Sequence, residues 1–469
     1  MTTSVGLRSE RGPILLALMV TTGLIAIDAT ILATAVPTIT ADLGDFALFP
    51  WLFSIYLLAQ AVSVPIYSKL SDVIGRKRII LIGIGLFVLG SILCGVADSM
   101  VMLIVFRAVQ GLGAGAVQPM SITIAGDIYT LAERAKTQGY LASVWGISSV
   151  VGPTLGGVFA ALDAWRFIFF VNVPLGLLAA VLIIRNFHET VEKREHRVDY
   201  LGAGLLTVAL SLIILALLEG GQAWAWNSWQ SISAFALGFV TLVAFVLVER
   251  RAAEPVLPLW VFSRRLLLTT SLIGLGTGAV LLGLTSYVPT YLEGSIGVSP
   301  LLAGLALAAL TIGWPIAASF SGRLYLRWGF RSTILIGRAL VLLGAASMVA
   351  FAPTPSVTAV AISCFVIGAG MGLAATPSVI AAQASVPWNE RGVVTGTGQF
   401  ARSIGSAVGV AIFGAIANSI FGPAPVAVSR LIDGSGAVFI AVLVAGVVTL
   451  VAALAMPKTP VAASEPATH

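Results

Sequence analysis

The first long apolar segment of the chain, Pro13 to Ala35, contains a single carboxylate, Asp28. No other carboxylate in the sequence lies so far from the ends of a predicted membrane span. A charge at that depth is costly, and intramembrane acids commonly mark proton or ion pathways. Asp28 is therefore a candidate for reversible protonation, and the alternative is an acid held in a structural ion pair.

A second intramembrane charge, Arg107, begins the run R-A-V-Q-G-L-G-A-G-A, which ends at Ala116. Arg107 lies about seven residues from the outer end of its predicted helix, and Asp28 about eight or nine, so both are roughly 10–13 Å below the same surface at 1.5 Å per residue. A nearby cation favours the charged form of a carboxylate, whereas burial disfavours it. We predict a contact between Asp28 and Arg107 that breaks and re-forms as the proton affinity of the acid changes.

Three further polar residues are candidates for a substrate cavity. Gln110 lies in the same run as Arg107. Glu293 lies near the outer end of the ninth predicted span, where it is either an entrance residue or a solvated residue of the rim. Arg402, in Q-F-A-R-S-I-G-S, lies about ten residues into the thirteenth span and is costly to bury. The sequence leaves open whether Arg402 serves transport or a structural pair.

The composition shows which elements must position these residues. Hydrophobic residues make up 58% of the chain and charged residues 10%, with a mean hydropathy of +1.02. Soluble domains carry about 25% charged residues, so this is an all-α polytopic membrane protein. Fourteen spans are predicted, at residues 13–36, 49–69, 79–97, 101–128, 141–162, 167–185, 201–218, 231–248, 267–292, 301–322, 333–351, 357–380, 393–420 and 436–456.

The basic residues predict the orientation, because Lys and Arg accumulate in short cytoplasmic loops. Most of them fall on the side shared by the two termini, and the opposite side holds little beyond Arg166 and Arg430. We expect both termini to be cytoplasmic. The net charge of +6 then reflects topology and anionic lipid head groups, and no nucleic-acid partner is expected.

An internal repeat divides the chain into two halves. The run V-Q-G-L-G-A-G from Val109 recurs as V-I-G-A-G-M-G from Val366, and the Glu-Arg pair at 133–134 recurs at 390–391 with the same spacing. Parallel halves around a central site are the layout of alternating-access carriers. The predicted domains are a six-helix half at 1–190, a linker with two additional membrane helices at 191–260, a second six-helix half at 261–457 and a cytoplasmic tail at 458–469.

The loop S-K-L-S-D-V-I-G-R-K-R, which begins at Ser68, resembles the hallmark loop of the major facilitator superfamily, with Ser68 in place of the usual leading glycine. The resemblance covers essentially the whole chain and implies the major facilitator fold. It implies that Asp72, Gly75 and Arg76 form a charge relay that latches one conformation and releases it during transport. The alternative is a basic loop that only sets the topology.

Within that superfamily the chain resembles the fourteen-span branch of drug:proton antiporters. The first-span run from Asp28 to Pro37 and the run W-R-F-I-F-F-V-N-V-P-L-G, Trp165 to Gly176, are similar to signatures of that branch. The resemblance assigns proton coupling to Asp28, with Arg107 beside it.

The fifth span contains G-P-T-L-G-G, which resembles the motif associated with antiporters of the superfamily. Pro153 removes a helix hydrogen bond, and Gly152, Gly156 and Gly157 are expected to let a neighbouring helix approach closely. A bendable helix at the gate is therefore expected. The alternative is a helix with a purely structural packing role.

These features predict a multi-pass transporter of the plasma membrane that exports lipophilic small molecules in exchange for protons. No metal or cofactor is expected, and the absence of a G-x-x-x-x-G-K-[ST] loop removes support for ATP-driven pumping. A closely related alternative is a proton-linked exporter of one endogenous lipid or secondary metabolite. A membrane-embedded enzyme is the alternative from another class, but the spans contain no Ser/His/Asp or metal constellation and no catalytic residues are predicted.

Overall fold

The computed structural model describes residues 6–44, 48, 51–189, 199–221, 223–252, 255–421 and 427–458. Across these ranges the chain is almost entirely helical, and the strand-like pairing is limited to one isolated bridge between Gly220 and Trp224. Helices predominate because each one satisfies its own backbone hydrogen bonds where the bilayer supplies no water. Beyond Lys458, the predicted cytoplasmic tail lies outside the described residues.

Sixteen helices follow one another in the described part of the chain. Their bounds are α1 Gly12–Leu43, α2 Trp51–Ile74, α3 Arg76–Gly95, α4 Met100–Ile128, α5 Leu131–Ala161, α6 Phe167–Phe170, α7 Asn172–Asn186, α8 Tyr200–Glu219, α9 Trp229–Glu249, α10 Trp260–Ser263, α11 Arg265–Ile296, α12 Pro300–Trp328, α13 Phe330–Phe351, α14 Val357–Ala384, α15 Arg391–Phe421 and α16 Val428–Ala455. A short 3₁₀ turn, Trp388–Glu390, precedes α15.

Each of the fourteen predicted spans coincides with one of these helices, with α6 and α7 together forming the sixth. Thirteen segments of the described chain are long and apolar enough to cross a membrane, and α8 has a shorter apolar stretch, Leu201–Leu217. Several helices are longer than predicted. The helix α5 begins at Leu131 because a capping box formed by Thr130 and Glu133 satisfies the free N–H groups of its first turn.

The two halves repeat the same packing. In the first half α3 packs against α4 and α1 against α5, and in the second half α13 packs against α14 and α11 against α15. A Cβ at Gly83 would lie 3.0 Å from the carbonyl oxygen of Gly113, and a Cβ at Gly337 would lie 2.6 Å from that of Gly370. The glycines of the sequence repeat therefore mark the same close helix contact in each half.

The halves meet along α5 and α12 and along α2 and α15, while α8 and α9 pack against each other beside α2 and α15. The ends of α2, α4 and α14 and the beginnings of α3, α5, α11 and α15 lie on one side of the bundle, and we call this side the basic face. It carries Arg76, Arg134, Arg264 and Arg391. Gly75 and Gly329, with φ of 98° and 82°, make equivalent turns there between successive helices of the two halves.

Candidate functional site

The carboxylate of Asp28 lies in the interior of the first half, and its side chain is 1% exposed. Its Oδ2 accepts a hydrogen bond of 2.8 Å from Nη1 of Arg107, which is 2% exposed. Its Oδ1 accepts bonds from the amide nitrogens of Gln110 at 2.7 Å and Asn172 at 2.9 Å. Three donors from α4 and α7 therefore surround a carboxylate on α1.

The guanidinium of Arg107 is held from several sides. Its Nε donates to the carbonyl oxygen of Leu52 at 3.1 Å, and its Nη1 also donates to Oε1 of Gln110 at 2.6 Å. The guanidinium carbon lies 4.2 Å from the centre of the Tyr56 ring. Arg107 and Gln110 share a helix face because they are three residues apart. The buried cation is thus positioned by rigid elements as well as by its ion pair.

Ser91 of α3 completes this cluster. Its hydroxyl oxygen accepts hydrogen bonds from the amides of Gln110 at 2.7 Å and Asn172 at 3.2 Å. Ser91, Gln110 and Asn172 are each fully buried. Such a network can stabilise a charged carboxylate in the membrane interior, and a proton on Asp28 would remove the charge that attracts Arg107.

Sequence reasoning selected Asp28, Arg107 and Gln110 but missed Asn172 and Ser91. Asn172 lies inside the run from Trp165 to Gly176, whose resemblance to a subfamily signature was the available signal. Ser91 carries no comparable signal, because serine is common in membrane helices.

A second charged cluster lies at the basic face, between the two halves. The guanidinium of Arg76, fully buried, lies 2.8 Å from Oδ1 of Asp72 and 3.0 Å from Oδ2 of Asp127. Its Nη2 donates to the carbonyl oxygen of Trp388 at 2.7 Å, and its carbon lies 3.7 Å from the centre of the Trp388 ring. Arg76 belongs to the first half and Trp388 to the second, so this contact joins the two halves.

Asp72 also joins the halves, because it caps a helix of the other half. Its carboxylate accepts backbone hydrogen bonds from Gly392 at 3.1 Å and Val393 at 2.8 Å, in the first turn of α15. The first N–H groups of a helix lack partners within it and attract a negative charge. Asp127 adds an ion pair of 3.2 Å with Arg391. Asp127 is not among the residues that the sequence analysis selected for this site.

The remaining cavity candidates are not brought together with Asp28. Arg402 lines a separate cavity in the second half, and its guanidinium carbon lies 5.1 Å from the centre of the Trp314 ring. Glu293 is half-buried three residues before the end of α11. Gln110, by contrast, is bonded to Asp28 and fully buried.

Known proteins are similar to this chain over most of its length. A family model described as Major Facilitator Superfamily matches residues 18–410. The chain belongs to the major facilitator superfamily. The Bacillus subtilis (strain 168) multidrug transporter protein MdtP is 35% identical over 415 residues, which cover 88% of this chain and 76% of that protein. Multidrug resistance protein 3 of the same organism is 36% identical over 398 residues, covering 84% and 77%.

The fold has a solved counterpart in the human organic anion transporter MFSD10 (TETRAN). The TM-score is 0.68 at 13% identity, and the match covers 96% of this chain and 100% of that one. At this identity the likeness shows the fold alone. The chain therefore has the major facilitator fold, and its family and its relatives identify it as a transporter rather than an enzyme.

The three glycines of the fifth-span motif G-P-T-L-G-G have different surroundings. A Cβ at Gly152 would collide with the side chain of Thr30 on α1, so close packing is present there. Gly156 is buried. The expectation of close packing is wrong for Gly157, which is exposed and has open space where a Cβ would point. The side chain of Pro153 lies outside the described part of the chain, although α5 runs through that position.

Proposed function

We propose that this transporter is a proton-coupled antiporter of the fourteen-span drug:proton branch, and that Asp28 is its proton carrier. The observation that carries the proposal is the carboxylate of Asp28, 1% exposed and 2.8 Å from the guanidinium of Arg107 inside the membrane. Intramembrane ion pairs of this type commonly serve proton relays. The names of the relatives support lipophilic drugs or toxic compounds as the exported class.

The cycle we propose follows from the two charged clusters. A proton arriving at Asp28 neutralises it and weakens its hold on Arg107, which changes the packing of α1 against α4. The basic face then opens when Asp72 leaves the first turn of α15, and it closes when the cap re-forms. The proton gradient drives this exchange without a cofactor.

We place this protein in the plasma membrane with both termini in the cytoplasm. The basic face is then cytoplasmic, in line with the usual distribution of Lys and Arg. Since the described contacts between the halves include the Arg76 cluster at the basic face, the conformation would be the one closed to the cytoplasm. In this state Asp28 would receive its proton from outside.

The proposal is tested by transport in proteoliposomes under an imposed pH gradient, with ethidium and 1-naphthaleneacetate as separate probes. Asp28→Asn keeps the size of the side chain but cannot release a proton, so gradient-driven transport should be lost. Asp42→Asn is the matched control on the same helix, because Asp42 is 49% exposed and pairs with Arg166. Normal gradient-driven transport by the Asp28 variant would contradict the proposal.

A further inference from the structure

Two arginines inside the second half, the buried Arg338 and the half-buried Arg402, have no carboxylate partner among the described residues. Arg338 of α13 is fully buried, and its Nη2 donates to Oγ1 of Thr277 at 2.6 Å and to the carbonyl oxygen of Ile273 at 3.3 Å. Its Nε and Nη1 have no hydrogen-bond partner in the described structure. Two donors of a buried cation are thus left unsatisfied.

Arg402 of α15 borders the same region. It lines a cavity of about 60 Å³ between α11, α14 and α15, and its described contact is with the face of the Trp314 ring. Thr277 also lines this cavity while accepting the hydrogen bond from Arg338. Arg338 therefore stands directly behind the cavity wall that Arg402 faces. The polar side chains of the lining are Thr270, Ser271, Thr277, Ser378, Thr395 and Gln399.

Two buried arginines of the first half, by contrast, each lie next to a carboxylate. Arg107 lies 2.8 Å from Asp28, and Arg76 lies 2.8 Å from Asp72. Taking an unpaired charge out of water is strongly unfavourable, so cations in a membrane protein interior normally have a counter-charge. For Arg338 and Arg402, the described part of the chain supplies none. Their counter-charge is therefore expected from outside the protein.

We infer that this cavity binds the anionic head group, a carboxylate or a phosphate, of an amphiphilic compound. This inference rests on the proposed function, because it names the substrate class of the same exporter. Guanidinium groups present planar donors that match carboxylate and phosphate oxygens. Ser271 and Gln399 of the lining can supply further donors. The other hydroxyls of the lining already donate to backbone carbonyl oxygens.

The size of the cavity fits the head group alone. One water needs 10–15 Å³ by this measure, so about 60 Å³ holds on the order of four water-sized groups. The apolar body of the ligand would then extend past the Trp314 ring and the aliphatic lining. Leu267, Ile273 and Val379 contribute to that lining.

The test is equilibrium binding to the purified full-length protein in nanodiscs of phosphatidylcholine. Radiolabelled 1-naphthaleneacetate is compared with 1-naphthaleneacetamide, which has the same aromatic body and no charge. Charge-assisted hydrogen bonds favour the acid, so its affinity should be at least about tenfold higher. Equal affinity for the acid and the amide would overturn the inference without any variant.

Variants then test whether Arg402 and Arg338 bind the carboxylate of the acid. Arg402→Gln and Arg338→Gln should each weaken binding of the acid about tenfold and leave the amide unchanged, while Arg402→Lys should retain part of the preference. Arg430→Gln is the matched control, since Arg430 is exposed near the beginning of α16 on the face opposite the basic one. Undiminished preference for the acid in both Gln variants would overturn the assignment to this cavity.

A second arm distinguishes the source of the head group. Nanodiscs with phosphatidylglycerol should compete with the acid if the cavity takes a lipid head group, and should leave its binding unchanged if it takes a dissolved acid. Binding requires no gradient, so its outcome is separate from proton coupling. Arg402-dependent binding without gradient-driven transport would refute only the proposed antiport, and gradient-driven transport without a preference for the acid would refute only this inference.

Discussion

At the scale of single residues, the carboxylate of Asp28 is held by three hydrogen-bond donors. The ion pair with Arg107 supplies the counter-charge, and the amides of Gln110 and Asn172 satisfy the other oxygen. Removing one partner from a buried ion pair leaves the other charge uncompensated and costs about 3–5 kcal/mol. Removing one of the neutral amide donors would also leave a buried oxygen of Asp28 without a partner, at a smaller cost in free energy.

Asn172→Leu is expected to slow gradient-driven transport and to lower the free energy of unfolding by about 1–3 kcal/mol, because Asp28 and Ser91 both lose a donor. Thermal unfolding of the purified variant measures the second effect. Asn186→Leu is the matched control, because Asn186 lies at the end of the same helix and, among the described residues, donates to the carbonyl oxygen of Leu182. Equal effects of the two substitutions on transport and on the free energy of unfolding would show that the hydrogen bonds around Asp28 contribute no more than an isolated one.

Depth along the helix was the basis for predicting the contact between Asp28 and Arg107. The contact is present, but the estimated depth of Asp28 was wrong, because α1 extends to Leu43, which is 43 − 28 = 15 residues beyond Asp28. The sequence does not show which way a neutral side chain faces around its helix, since membrane helices are apolar on every side. Asn172 and Ser91 were therefore visible only in the structure.

At the scale of elements, α15 depends on a residue outside its own half. Its first turn contains no acidic residue, and the carboxylate of Asp72 accepts the hydrogen bonds of Gly392 and Val393. The loop motif predicted a role for Asp72 in latching one conformation. Its partner could not be predicted, because a contact between halves depends on the conformation and not on local sequence.

Asp72→Ala is expected to shift the population toward a state open at the basic face. Losing a helix cap costs about 1 kcal/mol, which changes the ratio of the two states roughly fivefold. Spin labels at positions 78 and 385, both exposed on the basic face and in different halves, would show this as a longer distance in double electron–electron resonance. Asp98→Ala, an exposed acid on the opposite face, is the control. An unchanged distance distribution would argue against a latch.

The two glycines of α5 offer a matched pair. Gly152→Ala is expected to lower the unfolding temperature and transport, because the added methyl group would collide with Thr30 and overpacking costs about 1–3 kcal/mol. Gly157→Ala has open space and is expected to be neutral or to stabilise by up to about 1 kcal/mol. Thermal unfolding of the two variants side by side checks this, and a larger loss at position 157 would contradict it.

At the scale of the whole molecule, hydropathy predicted an all-helical membrane protein, and the repeat predicted the similar helix contacts within the two halves. The repeat was detectable because close helix packing demands glycine at fixed positions, as at Gly113 and Gly370. The position of α8 and α9 beside α2 and α15 carried no such signal. Their contacts are apolar and non-directional, involving residues such as Leu206, Leu210 and Phe400, so another apolar surface could have met them equally well.

The orientation of the molecule remains a prediction of its charge distribution. A cysteine at position 78, on the basic face, should react with a membrane-impermeant maleimide only after cells are permeabilised. A cysteine at position 430, exposed near the beginning of α16, should react in intact cells. The native Cys94 and Cys364 are buried and give little background. The reverse pattern would place the termini outside.

The central claim is that export and proton movement are one process, coupled at Asp28. The most direct measurement records the pH inside proteoliposomes with trapped pyranine while an outward gradient of an exported compound is applied without a pH gradient. For wild type we predict that protons enter as the compound leaves, with no such signal in protein-free vesicles or with Asp28→Asn. Export by wild type with no change in internal pH would contradict the account.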